Sequence, residues 1–361
     1  MNHRQLEQKS FDESGQNLIV GSANHCPIPP DQLAQITSDS PYVIETFDSG
    51  LTATVYHLSI AGNHFTLKRK RTTSKVKNLD GKYSFLNEVQ RRHDLQARKD
   101  DPTTSNEFRH IVSTIYADYR QGIILSDWIE GNLLARIERN TIAQLFSTLL
   151  SCEKTGLFEW DLSQGNLIVD DDHNITLFDF GYMYSFDPLN ELNSNGMNDP
   201  IFQSFERFET RFLSGWLCSQ NLNDKDAIAY FKIIKEEALK ILNQKLIWLK
   251  ENSASIDVIQ HIKGLIYSYE KALKTPEALN ELYIAEMFRS HVLDIEDDLG
   301  GKSCTATTKK RVKSVLEMLD KHYELLKKEE ALFYQNHKKS QADLLKQYKV
   351  KEQLVNQYQL T

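Results

Sequence analysis

The chain has 361 residues, 40% hydrophobic and 26% charged, a balance that excludes disordered, fibrous and collagen-like classes. Its net charge of −7 speaks against a general nucleic-acid binder, and no run approaches the roughly 20 apolar residues of a membrane helix. Neither a nucleic-acid partner nor stable membrane insertion is therefore expected.

Charge is unevenly spread: residues 308–361 carry twelve Lys/Arg against seven Asp/Glu, a net +5 that leaves −12 on the remainder. Cys26, Cys152, Cys218 and Cys304 are scattered without a C-x-x-C pair, which suits reduced thiols and predicts a cytoplasmic location. The polar N-terminus lacks a secretory signal, and export as an effector with an uncleaved signal stays open.

Residues 1–40 are rich in Gln, Asn and Ser and contain Cys26-Pro27-Ile28-Pro29-Pro30, so they read as a flexible arm with little core. Short β-prone runs follow at 43–47, 54–60 and 64–68, with Ala61-Gly62-Asn63 as the turn of a hairpin. Residues 83–96 place Phe85, Leu86, Val89 and His93 on one helix face. A second β pair is predicted at 111–116 and 119–128 around Ala117-Asp118, and a helix at 141–153 carries an apolar stripe. Residues 166–170 and 174–179 read as a hairpin around Asp171-Asp172-His173.

Past residue 200 the pattern is helical, at 202–217, 224–252, 256–274, 276–297 and 308–358. The last helix carries Val312, Val315, Leu319, Tyr323 and Leu326 on one stripe, expected to pack on the acidic body. A strand-rich part followed by a helical part predicts an α+β fold of two lobes.

The most informative stretch is Trp160-Asp161-Leu162-Ser163-Gln164-Gly165-Asn166, whose Asn166 lies thirteen residues before Asp179 of Asp179-Phe180-Gly181. Asp, Asn and Gly also form ordinary turns. At this spacing, however, the segment resembles the protein-kinase superfamily, whose D-x-x-x-x-N loop and D-F-G turn flank such a hairpin. The resemblance implies a two-lobed protein-kinase-like fold, with a strand-rich N-lobe and an enlarged helical C-lobe, that binds ATP and Mg²⁺. Asp161 would orient an acceptor hydroxyl and take its proton, and Asn166 and Asp179 would be oxygen ligands for magnesium.

The same resemblance implies a strand lysine, and Phe65-Thr66-Leu67-Lys68 fits the family's V-A-I-K. Lys68-Arg69-Lys70-Arg71 also fits a solvated strand end, and Lys70 shares the Lys68 face; the strand-like residues before it favour Lys68. Glu88, 20 residues on, matches the helix glutamate that pins this lysine, and it also fits a plain surface carboxylate. Gly50 stands alone in Asp48-Ser49-Gly50-Leu51-Thr52, where the family shows G-x-G-x-x-G over the phosphates. The Asp127 carbonyl and the Ile129 amide would form the hinge that pairs with adenine.

The sequence departs from the family in three places. Glu159 and Trp160 replace the His-Arg before the catalytic aspartate, Ser163 replaces the common lysine two residues after it, and no A-P-E follows Gly181. These departures resemble the aminoglycoside, choline and lipopolysaccharide-core kinases more than regulated Ser/Thr kinases. The expected function is thus transfer of the γ-phosphate to a hydroxyl-bearing small molecule or glycan. The alternatives are an atypical Ser/Thr protein kinase with a protein acceptor, a nucleotidyl transferase, and an inactive nucleotide-binding scaffold. The expected organisation is an arm (1–40), an N-lobe (41–127), a C-lobe (128–300) and a charged helical extension (301–361).

Overall fold

The computed structural model describes residues 1–197, 202–220 and 222–360. It is an α+β protein with an N-terminal sheet and a helical C-terminal part. Its backbone divides into two compact units, Met1–Leu134 with Gly165–Met183, and Ala135–Gln164 with the chain from Tyr184 onward. The expected boundary at residues 127 and 128 does not coincide with this division. The hairpin of Leu167–Val169 and Ile175–Leu177 pairs with Asn132–Leu133 and bridges Ile111, which draws it into the first unit.

The first unit is built on an antiparallel sheet of β1 (Ile19–Gly21), β2 (Val43–Phe47), β3 (Ala53–Ile60), β4 (Asn63–Lys70), β5 (Tyr116–Asp118) and β6 (Ile123–Asp127). Its spatial order is β1-β5-β6-β4-β3-β2. Ile60 pairs with Asn63, so Ala61 and Gly62 form a two-residue loop. Both have positive φ, as the twist of a tight hairpin requires. One sheet face packs Tyr56, Leu58, Ile60, Leu67 and Leu125; the other packs Ala53, Ala117 and Ile124 under Phe85, Leu86 and Val89. These last three come from a helix, Leu79–Asp100, started by Asn78, whose Oδ1 accepts from the Gly81 N–H at 2.8 Å.

Two expectations for this unit need correction. Residues 1–40 are not a coreless arm: they carry a helix (His3–Glu13), supply edge strand β1, and bury Val20, Leu33 and Ile36. Their polar composition misleads because much of their attachment is by hydrogen bonds, such as Asn17 Nδ2 to Asp118 at 3.0 Å and Arg120 Nε to the Gln16 carbonyl at 2.7 Å. Ala117 and Asp118 are strand residues, and the turn falls later, where Gly122 at φ 69° donates to the Asp118 carbonyl at 2.9 Å. A glycine that can take a left-handed conformation is a stronger turn signal than an isolated Asp.

The second unit is helical: Arg139–Lys154, Ser204–Phe208, Ser214–Ser219, Asp224–Glu251, Ile256–Ala272, Pro276–Gly301, Ala306–Lys328 and Gln341–Gln357. The Arg139–Lys154 helix buries Ile142, Leu145, Phe146, Leu149 and Leu150, the stripe read from its period. The expected helix over 202–217 is interrupted by a π-helical turn, Glu209–Leu213.

The single helix expected over 308–358 is two. Glu330 turns with φ 52°, Ala331 and Leu332 enter the core, and Ser340 caps the second helix. Lys235 is fully buried, with its Nζ 2.6 Å from Glu209 Oε1, 3.1 Å from Tyr269 Oη, and paired to Glu286. It thereby ties three long helices to the π turn.

Candidate functional site

In the first unit, Lys68 lies on β4 opposite Ile124 of β6 and is 5% exposed. Its Nζ is 2.8 and 3.1 Å from the two carboxylate oxygens of Glu88, and 2.8 Å from Asp179 Oδ2. Burial works against a charged Lys68, but Asp179 and Glu88 outweigh it and hold its pKa above the ordinary lysine value. Burial likewise opposes ionisation of Asp179. The Lys68 ammonium and the Gly181 N–H overcome it and keep the carboxyl below its usual range. The rival Lys70 instead reaches Tyr119 Oη at 3.3 Å.

Two further residues of the Leu79–Asp100 helix complete this cluster. Arg92, one turn after Glu88, donates to Glu88 Oε1 at 3.1 Å and to the Phe178 carbonyl at 2.6 Å, and its guanidinium lies 5.1 Å from the Phe180 ring centre. Asn87 Nδ2 donates to the carbonyls of Phe180, Gly181 and Met183 at 3.1, 3.2 and 2.7 Å. One helix thus fixes both the glutamate and the backbone that carries Asp179.

The hairpin register pairs Leu167 with Leu177, and the Asn166 carbonyl accepts from the Phe178 N–H at 3.3 Å. Asn166, 7% exposed, therefore stands at the same hairpin end as Asp179. The turn between the strands is closed by Asp170 Oδ1, which accepts from the N–H groups of Asp172 and Asn174, with His173 at φ 61°.

Gly50 lies in the loop between β2 and β3. A Cβ there would sit 2.5 Å from the Ala53 carbonyl oxygen, so the close approach itself demands glycine. Arg71 holds this loop, donating to the Gly50 and Asp48 carbonyls at 2.9 and 2.7 Å. Asp127 ends β6 opposite Phe65, and Ile129 follows it, half-buried. The Trp128 N–H reaches the His64 carbonyl at 3.1 Å, so Asp127 and Phe65 form a non-hydrogen-bonded pair and the Asp127 backbone groups point away from β4. A cavity of about 920 Å³ is lined by Asp127, His64 and His93, but by none of Lys68, Glu88 and Asp179.

Asp161 belongs to the second unit. Its N–H donates to Glu159 Oε1 at 2.7 Å, so Glu159 holds the loop backbone. Its Oδ1 accepts from Arg211 Nε at 3.0 Å. Arg211 also pairs with Asp294 and lies 3.8 Å from Asp298. Burial disfavours its charge, yet Asp294, Asp161, Asp298 and Asp297 together raise its pKa well above the ordinary arginine value.

Lys68, Glu88 and Asp179, the residues that the resemblance singled out, thus come together. Asn87, Arg92 and Arg211 were not anticipated. Only the Glu88–Arg92 pair left a trace in the sequence, as opposite charges one helical turn apart. Among the described residues, no group of three or more His, Cys, Asp or Glu could hold a metal ion, and no helix is long and apolar enough to cross a membrane. No protein-family model matches the chain, and no curated protein matches it.

Proposed function

We propose that this chain is a protein-kinase-like phosphotransferase that moves the γ-phosphate of ATP to the hydroxyl of a small molecule or glycan. The observation that carries the reading is the buried Lys68–Glu88 pair joined by Asp179, with Lys68 Nζ 2.8 Å from each carboxylate. An unrelated sheet has no reason to bury a lysine between two carboxylates at the spacing of a strand lysine, a helix glutamate and a D-F-G aspartate. In this reading Glu88, braced by Arg92, pins the Lys68 ammonium where it holds the α- and β-phosphates, preorganised before nucleotide arrives.

Asn166 and Asp179 suit magnesium by donor type: both offer hard oxygens, and the Asp179 side chain keeps 36% of its surface exposed. A nucleotide-bound magnesium takes one or two protein oxygens and completes its shell with phosphates and water. When bound, it would draw negative charge from the phosphoryl group. Asp161 orients the acceptor. The hydroxyl oxygen bonds to the γ-phosphorus, the bond from that phosphorus to the ADP oxygen breaks with its electron pair leaving on ADP, and Asp161 takes the proton.

Mass-resolved transfer from Mg-ATP to a panel of sugars, aminoglycosides and proteins tests the reading. Asp161→Asn is expected to slow transfer by about 10²- to 10⁴-fold and to leave ATP binding intact. Transfer by the variant at the wild-type rate, or a product heavier by a nucleotidyl group, would overturn it. Phosphorylated protein with no phosphorylated small molecule would move the acceptor to the protein class. ATP binding with no transfer to any acceptor would favour a scaffold.

A further inference from the structure

The proposed reaction leaves one charge unassigned, because Ser163 stands where the kinase loop usually has the lysine that meets the transferred phosphoryl group. The second unit contains a cation beside Asp161 that comes from a distant part of the chain. Arg211 lies 50 residues downstream, within the π-helical turn Glu209–Leu213, and its Nε is 3.0 Å from Asp161 Oδ1.

We infer that Arg211 is the positioning residue of this site: it fixes the Asp161 carboxylate by one oxygen, in a loop that has Ser163 where the family has its lysine. The inference rests on the reading of Asp161 as the acceptor-facing aspartate.

The surroundings favour this role over that of a plain structural counter-ion. Asp294 already has a guanidinium, since Arg311 Nε lies 2.7 Å from its Oδ2. Arg211 is therefore not the sole cation on Asp294. Arg211 spans the two carboxylates instead, with Nη1 on Asp294 and Nε on Asp161, a two-point hold that fixes both its plane and the Asp161 rotamer.

The backbone is arranged to deliver it. A π turn inserts one residue into a helix, shifts the phase of the turns after it, and is frequent at functional sites. Here it is braced from below: Arg311 Nη2 donates to the Thr210 carbonyl at 2.9 Å and Nη1 to Ser214 Oγ. Gly215 leaves the room, because a Cβ there would lie 2.7 Å from Arg311 Nη2. Helix register, brace and glycine all serve the placement of one guanidinium.

Steady-state kinetics on the full chain test this, with kcat and KM for ATP measured for Arg211→Ala and Arg211→Lys. A misplaced reacting group costs on the order of 10²-fold, so Arg211→Ala is expected to lose about that factor in kcat with KM for ATP little changed. Arg211→Lys keeps the charge but cannot span both carboxylates, and is expected to lose about tenfold. Added ethylguanidinium is expected to restore part of the Arg211→Ala turnover, which a purely structural loss would not allow.

Wild-type kcat in either folded variant, or a change in KM alone, would overturn the inference. If Arg211→Ala does not fold, the lysine variant decides. A wild-type chain that transfers no phosphate would instead defeat the proposed function, so the two failures are distinct.

Discussion

Gly50 has no room for a side chain, and that makes its place in the proposed nucleotide site testable. A methyl group there would press on the Ala53 carbonyl, while Arg71 holds the loop from the other side. Gly50→Ala must therefore move backbone that, in the proposed function, lies over the phosphates. Losing one backbone hydrogen bond to phosphate, about 1 kcal/mol, corresponds to roughly a fivefold weaker grip. KM for ATP is expected to rise by about that factor with kcat retained; an unchanged KM would remove Gly50 from the site.

Single residues were legible in the sequence where the resemblance supplied a motif for them to fill. Lys68, Glu88 and Asp179 sit at intervals set by one strand, one helix and one hairpin, and strand alternation narrowed the choice to Lys68 or Lys70. The decision between those two depended on what each meets across the sheet: two carboxylates for Lys68 and a phenol for Lys70. Asn87 and Arg211 act through contacts 93 and 50 residues away in sequence, which no local pattern encodes.

Among elements, the π turn shows why local periodicity reaches its limit. Phe205, Phe208, Phe212 and Trp216 recur at helical spacing, and Phe212 does stack between Phe208 and Trp216, at 5.0 and 6.4 Å. The apolar stripe thus predicts a helix and is satisfied by one. The inserted residue answers to Arg311 and Asp294 on other helices, which periodicity does not see.

The C-terminal end of the Pro276–Gly301 helix makes stability depend on pH. Burial, with the nearby Asp294 carboxylate, pushes Asp298 up to about 7, against the opposing pull of Arg211, Arg311 and the Thr308 hydroxyl. Its folded pKa then lies above its unfolded one. Between about pH 4 and pH 7 the folded chain keeps a proton that the unfolded chain has released, so this residue's stabilisation is lost as pH rises through that window. Asp298→Asn, which stays neutral, is expected to melt higher than the wild type at pH 8 and to lose that advantage toward pH 5. Parallel melting curves for the two proteins across pH 5–8 would rule this out.

For the whole molecule, the expected boundary at residues 300 and 301 falls inside the second compact unit, which runs on from Tyr184. The segment after residue 308 is net positive, and its apolar stripe was expected to pack on the acidic body; the stripes of the last two helices are core. Val312, Val315, Leu319, Leu326, Leu344, Tyr348 and Val355 are fully buried, packed with Phe288, Val292 and Ile295 of the Pro276–Gly301 helix. Most of the charged residues occupy the opposite faces, Arg311 being buried against Asp294.

Fully burying one such apolar side chain contributes roughly 1.5–3 kcal/mol, and a whole fold is stable by only about 5–15 kcal/mol. Removing residues 302–361 would expose this face of the Pro276–Gly301 helix and also strip Asp294 of Arg311. A chain ending at Gly301 is therefore expected to lose cooperative thermal melting and to aggregate on expression. A soluble 301-residue chain that melts in one cooperative transition and retains the wild-type near-ultraviolet circular dichroism of its aromatic core would show that the expected boundary at residues 300 and 301 is a real domain boundary after all.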